Sequence, residues 1–203
     1  MSLFFSFDGV DGAGKSTQIG LFCDWLGRRG REVVRCRDPG STPLGEKLRG
    51  ILLDHHDLAI QRRSEMLLYM AARAQLVEEV IRPALVAGKA VVSDRYLLAN
   101  VVYQGHAGGE EPSAIWNVGA VAVAGLMPRL TFVLDMPAHA AAGRIDREKD
   151  RMEMQGLEYL ERVRQGYLIE AANRPDEIVV INAARPIAAV HADIIAAAER
   201  CLS

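Results

Sequence analysis

Eight residues near the N-terminus, Gly9-Val10-Asp11-Gly12-Ala13-Gly14-Lys15-Ser16, constrain this chain more than any others. They fit G-x-x-x-x-G-K-[ST], and their flanks give the pattern physical meaning. Leu3-Phe4-Phe5-Ser6-Phe7 precedes them as a short apolar run, which predicts a buried strand. Ser16-Thr17-Gln18-Ile19 follows and opens a segment whose Ile19, Leu21, Phe22, Trp25 and Leu26 share one helical stripe. In a strand–loop–helix setting, glycines let successive N–H groups turn inward on a polyphosphate, and the helix N-terminus adds its positive end. The loop Gly9, Val10, Asp11, Gly12, Ala13, Gly14, Lys15, Ser16 and Thr17 is therefore expected to bind a nucleoside triphosphate such as ATP. Lys15 would reach the β- and γ-phosphates, and the Ser16 hydroxyl would hold Mg²⁺. The alternative is a glycine-rich turn with no ligand.

Four further apolar runs read as strands: Glu32–Cys36, Ala90–Ser93, Leu130–Leu134 and Ile178–Ile181. Helical spacing fills the intervals, over Ser64–Ala87 with Gly88 as the stop, Ile115–Leu126, Tyr159–Ala172 and Ile187–Leu202. Strands alternating with helices of this length predict βαβ units, hence an α/β fold with a parallel five-stranded sheet covered on both faces. With no repeat or linker in 203 residues, one P-loop domain is expected over 1–203. No apolar run approaches the roughly 20 residues of a membrane span. The net charge of −2 offers no basic field for nucleic acid. The three cysteines lack metal-ligand spacing, and nothing at the N-terminus suggests export, so reduced thiols in a cytoplasmic protein are expected.

Parallel sheets of this kind hold ligands at the carboxyl ends of their strands. That directs attention to Asp8, to Arg37-Asp38-Pro39-Gly40-Ser41-Thr42, to Asp94-Arg95-Tyr96 and to Asp135. A magnesium–triphosphate site needs a strand-end carboxylate, and Asp8, Asp94 and Asp135 all qualify. Asp94 is favoured because Arg95 sets a guanidinium beside it; a surface ion pair or a helix cap is the lesser alternative. For Asp135, before Met136-Pro137 at a helix start, capping is at least as good a reading. Arg73 sits among alanines and apolar residues inside the long helix, so either it faces solvent or a ligand in a cleft satisfies it. Tyr69, one turn earlier, is a core aromatic or a ring on which a base stacks. The charged stretch around Arg144, Arg147, Lys149 and Arg151 is a solvated loop or an arginine-rich lid, approximately 144–153.

Taken in order, Phe7–Gln18, Arg37–Thr42, Glu46-Lys47-Leu48-Arg49, Tyr69–Gln75, Asp94-Arg95-Tyr96, Ala99-Asn100, Val102-Tyr103-Gln104-Gly105 and Asp150–Glu153 resemble the thymidylate kinase family over nearly the whole chain. The resemblance implies a nucleoside monophosphate kinase-like fold with a short lid, ATP- and Mg²⁺-dependent phosphorylation of dTMP to dTDP, and a homodimer. On matching positions it implies that Tyr69 stacks on thymine, that Arg73 hydrogen-bonds it, and that Asn100 contacts the base. Tyr103 would crowd C2′, Asp11 would hold the 3′-hydroxyl, and Arg49 and Gln104 complete the dTMP residues. Lys15, Arg95, Asp94 and Arg147 would be catalytic, with Arg95 bridging the donor and acceptor phosphates. Ser16, Asp94 and Asp8 would serve the metal, and Asn182-Ala183-Ala184-Arg185-Pro186 would lie beside adenine. Three positions depart from the family pattern. Asp8 stands where many relatives carry Glu, Ala99 replaces a frequent Ser, and Gly12 occupies a place where one subgroup carries a catalytic arginine. The last, with the basic lid, matches the subgroup typical of bacteria.

Two other readings stay open on residues alone. One is a kinase for another nucleotide or a deoxynucleoside. The other is a P-loop protein that binds nucleotide as a signal, which leaves Ala-Ala-Arg, Asp-Arg-Tyr and the arginine-rich stretch without a task.

Overall fold

A computed structural model describes residues 3–54, 58–144, 146 and 151–202. Five parallel strands, β1 (Phe4–Asp8), β2 (Val33–Arg37), β3 (Ala90–Asp94), β4 (Leu130–Asp135) and β5 (Ile178–Asn182), form one sheet in the order β2-β3-β1-β4-β5. The central β1 buries every residue, as a strand covered on both faces must. Its alternation divides the core. Phe5 and Phe7 meet Phe22 at ring-centroid distances of 5.1 and 5.5 Å, while Phe4 turns to the other face and meets Tyr96 at 5.0 Å. Ser6, between them, bonds Thr131 on β4 at 2.8 Å, so its buried hydroxyl is satisfied.

Helix α1 (Lys15–Arg28) leaves the loop after β1 and buries Ile19, Phe22, Trp25 and Leu26. After β2 comes α2 (Pro43–Leu53), where periodicity alone predicts no element. Its start is nonetheless written locally: Thr42 accepts from the Gly45 N–H at 2.9 Å, and Pro43 follows at the first helical position. Helix α3 (Arg62–Leu76) runs through a π-helical stretch, Val77–Ile81, into α4 (Arg82–Val86). The expected single helix is therefore present but interrupted, just ahead of Pro83, which lacks the N–H an α-turn would use. Gly88, at φ 75°, ends it with Gly88 N bonded to Leu85 O and Lys89 N to Ala84 O.

The region after β3 winds as α5 (Leu97–Asn100) and then a second π-helical run, Val101–Ala107. Helices α6 (Pro112–Val123), α7 (Ala138–Ala142), α8 (Leu157–Asn173) and α9 (Ile187–Leu202) complete the fold. Each strand runs one residue further than the apolar pattern predicts, so Asp8, Arg37, Asp94, Asp135 and Asn182 are the last residues of the sheet. That extension puts the polar strand ends in one row along a single edge.

Candidate active site

The row of strand ends carries two clefts that run into each other. The first is lined by Asp38, Arg49, Leu53, Tyr69, Arg73, Ala99, Asn100, Tyr103, Gln104 and Met152. The second is lined by Gly12, Gly14, Lys15, Ser16, Thr17, Arg37, Asp94, Arg144 and Asp146. Asp11, Asp38, Arg49 and Arg95 line both, so they form the junction.

The loop between β1 and α1 is held in shape by sterics. Gly9 has φ 129°, and a Cβ there would lie 2.5 Å from the Leu134 carbonyl oxygen. Gly12 has φ 85°, and a Cβ there would overlap the carbonyl oxygen of Ala141 in α7. Lys15 is buried and folds across the loop, donating from Nζ to Gly9 O at 3.0 Å, Val10 O at 3.1 Å and Asp11 Oδ1 at 3.3 Å.

Arg95 crosses the junction. Its Nη1 donates to Gly9 O at 3.0 Å and the Tyr167 hydroxyl at 3.1 Å; its Nη2 donates to Asp11 Oδ1 at 2.8 Å and the Tyr103 hydroxyl at 3.1 Å. The guanidinium also lies 4.9 Å from the centre of the Tyr103 ring. Its backbone sits at φ 66°, an uncommon position for a residue with a side chain, fixed by Arg95 N to Phe7 O and by Ser93 Oγ to Arg95 O. Burial alone would raise the Asp11 carboxyl, but Arg95 and Lys15 outweigh it and hold Asp11 well below the ordinary range.

Asp8 lies behind the loop, fully buried. The Tyr167 hydroxyl bonds its Oδ1 at 3.2 Å, and its Oδ2 has no partner among the described residues. Burial pushes its carboxyl up to about 7, against the pull of Arg95 and Lys15. In that state the folded chain binds a proton that the unfolded chain has already released, so stability is lost as pH rises from about 4 toward 7. At about 1.4 kcal/mol per pKa unit the difference amounts to a few kcal/mol. The unfolding midpoint should therefore fall between about pH 5 and pH 8 by more in the parent than in Asp8→Asn. Parallel midpoints in the two proteins would mean that Asp8 ionises in its ordinary range.

The α3 side of the first cleft is a buried polar chain. Arg73 is almost wholly inaccessible; its Nε donates to Asp38 Oδ2 at 2.5 Å, its Nη1 to Asn100 Oδ1 at 2.9 Å and its Nη2 to Tyr96 O at 3.4 Å. Asn100 Nδ2 donates to Gln104 Oε1 at 2.6 Å, and Gln104 Nε2 to Glu65 Oε1 at 2.8 Å. The second oxygen of Glu65 takes the guanidinium of Arg151, whose Nε reaches Leu52 O at 2.8 Å. Burial raises the Asp38 carboxyl, while Arg73 works against that rise. Of the two readings of Arg73, solvent or cleft, the cleft is the one realised. Its charge is met by Asp38, however, so its burial needs no ligand to balance it.

The family model for thymidylate kinases matches residues 7–194. The thymidylate kinase of Rhodopirellula baltica is 45% identical over 194 residues, covering 96% of this chain and 78% of that protein. That of Kosmotoga olearia is 41% identical over 202 residues, covering 98% of this chain and 97% of that protein. The chain belongs to the thymidylate kinase family. The crystal structure of thymidylate kinase from Ehrlichia chaffeensis superposes with a TM-score of 0.77 at 29% identity, covering 96% of this chain and 97% of that one. The fold is accordingly that of the P-loop nucleoside monophosphate kinases, and the chain is a phosphotransferase.

Of the residues the family pattern points to, the structure gathers Asp11, Arg49, Tyr69, Arg73, Arg95, Asn100, Tyr103 and Gln104 around one cleft. Lys15, Ser16, Thr17 and Asp94 line the other, joined by Arg144. Three carboxylates that all qualify in sequence, with Asp94 favoured, are separated. Asp94 faces the phosphate cleft, Asp8 is sealed behind it, and Asp135 is gripped by Arg164 at 2.7 and 3.1 Å. Arg151, expected in the lid, bonds Glu65 and Leu52 O beside the first cleft, with its neighbour Met152 on the cleft wall. Arg147 and Lys149 lie outside the described residues. The Asn182–Pro186 turn follows β5 at the same sheet edge, where the Asn182 side chain accepts from Ala184 N at 3.0 Å. Gln18, on α1, donates to Ile187 O just beyond that turn. Tyr167 and Glu65 escape sequence reading. Both occupy helical spacing that reads as core or as a solvated first turn, and their partners lie across the fold.

Proposed function

We propose that this chain transfers the γ-phosphoryl group of ATP to dTMP, giving dTDP for dTTP synthesis, through the two joined clefts. The observation that carries this reading is the position of Arg95, a cation fixed by four hydrogen bonds where the phosphate loop meets the mononucleotide cleft. ATP lies on the loop from Gly9 to Thr17 with Lys15 on its outer phosphates, and dTMP enters between α3 and the Asp94-Arg95-Tyr96 turn. Tyr69 offers its ring to thymine, Arg73 its donors to a base carbonyl, and Asp11 its carboxylate to the 3′-hydroxyl. Ser16 and Asp94 face the cleft together and would hold Mg²⁺, while Asp8 stays buried behind the loop and does not line that cleft. Bound there, the metal supplies charge neutralisation to the phosphates.

The acceptor oxygen is already anionic near neutral pH, so transfer needs no strong general base. Catalysis is positioning plus cations laid on the transferring group. Arg144 and Arg147 of the lid segment supply further positive charge, Arg147 being the residue assigned to the transferring phosphoryl. A homodimer fits the exposed apolar residues Leu67 on α3 and Val121 on α6. Free cysteines and the lack of any membrane-spanning helix among the described residues fit a cytoplasmic setting.

ADP release from ATP and Mg²⁺ in a coupled assay, with dTMP, dUMP, dCMP, dGMP, AMP, UMP and thymidine as acceptors, tests the reading. Fast turnover is expected with dTMP, slower with dUMP and little with UMP, because Tyr103, on the wall of the cleft, is the residue assigned to crowd C2′. Turnover confined to thymidine or another nucleotide would void the roles of Tyr69, Arg73 and Asn100.

A further inference from the structure

The buried chain from Arg73 to Glu65 has a direction. Arg73 can only donate and a carboxylate can only accept, so its two ends impose the same polarity on the amides between them. Asn100 must turn its oxygen to Arg73 and its nitrogen to Gln104; Gln104 must turn its oxygen to Asn100 and its nitrogen to Glu65. Glu65 also takes Arg151, so the same carboxylate ties the segment leading out of the lid to the floor of the base cleft.

We infer that Glu65 is a positioning residue for base selection: through Gln104 as a relay, it fixes which donor and acceptor face Asn100 shows to the nucleobase. This rests on the proposed dTMP site. Thymine presents a carbonyl and an N–H on the edge where cytosine presents an amine and a bare nitrogen. A cleft whose amides can turn over loses that distinction, and one whose amides are pinned keeps it.

A substitution isosteric with Glu65 exposes the role. In Glu65→Gln the new amide keeps its oxygen on Arg151 and turns its nitrogen to Gln104 Nε2. Gln104 must then turn over, Asn100 after it, and Asn100 nitrogen meets Arg73 donor to donor. Adding Gln104→Glu restores the direction. The amide introduced at position 65 then donates to the carboxylate introduced at position 104, which accepts from Asn100 as the Gln104 oxygen did.

The experiment is the ADP-release assay on full-length parent, E65Q and E65Q/Q104E, with dTMP and dCMP as acceptors. For E65Q we expect KM for dTMP to rise about tenfold and the dTMP-to-dCMP ratio of kcat/KM to fall about tenfold. KM for ATP should not move, and the double variant should regain most of the ratio. An unchanged ratio in E65Q, or a double variant no better than E65Q, overturns the inference. If E65Q does not fold, the double variant decides alone: retention of the parental ratio supports the role, and loss of it overturns the role. A parent without dTMP-dependent turnover overturns the proposed function and this inference together, whereas an active parent with an unaltered E65Q ratio overturns the inference only.

Discussion

Replacing Lys15 with alanine is expected to lower kcat about a thousandfold while leaving the fold in place. The geometry explains why the two effects separate. Lys15 donates to Gly9 O, Val10 O and Asp11 Oδ1, but Arg95 independently donates to Gly9 O and Asp11 Oδ1. Val10 O also keeps a partner, the Ala13 N–H at 3.3 Å, so no acceptor is left bare, and one lost hydrogen bond costs about 1 kcal/mol. The shape of the loop, moreover, comes from the positive φ of Gly9, Gly12 and Gly14 rather than from the lysine. For catalysis the proposed roles differ: Lys15 is assigned to the outer phosphates of ATP and Arg95 to the junction, so the arginine would not stand in for the lysine. Circular dichroism and the unfolding midpoint should match the parent, with the loss confined to ADP release. A variant within tenfold of the parent would show that the lysine braces the loop and nothing more. A rise in KM for ATP at constant kcat would assign it to ground-state binding instead.

The largest stability loss is expected at Asp38. Asp38→Ala should cost about 3–5 kcal/mol, read from urea unfolding, because it leaves the guanidinium of Arg73 buried without a counter-charge. Neither Asn100 Oδ1, Tyr96 O nor the sulfur of Met70 carries that charge. An exposed pair makes the contrast. Arg29 and Glu199 are about half exposed, and severing them should shift stability by no more than about 1 kcal/mol. Asp38→Asn should fall between, since the amide oxygen still accepts from Nε but brings no charge. A loss under about 1 kcal/mol for Asp38→Ala would mean that Arg73 swings out to water, and the cleft would then lack its fixed donor.

The frame of the molecule is legible in the sequence because it rests on local signals. Apolar runs of four or five residues, a glycine loop and helical stripes identify β1 to β5, α1, α6, α8 and α9 without tertiary information. Where a local signal goes unread, as with Thr42-Pro43 at the start of α2, the element is missed although its cap is present. The π-helical run Val101–Ala107 is a different matter. It tightens nothing that composition records, yet it carries both Tyr103 and Gln104. The site divides in the same way. Residues lying at strand ends or inside the motifs fall into place. Tyr167, 159 residues from Asp8, and Glu65, 86 residues from Arg151, are joined only when the chain folds. The partner of Arg73 is the instructive case: Asp38 stands in plain view after β2, but nothing short of the register of β2 on β3 brings it to α3.

The contact between Gly12 and α7 bears on how such enzymes diversify. Any side chain at position 12 must displace the Ala141 carbonyl, and with it the short helix α7 ahead of the charged stretch proposed as the lid. A cation supplied from the phosphate loop and a cation supplied from the lid are thus not two settings of one scaffold reached by a single codon change. Passing from one to the other requires the backbone beneath the lid to shift first. A lineage that starts from this packing keeps position 12 free of a side chain unless α7 moves with it.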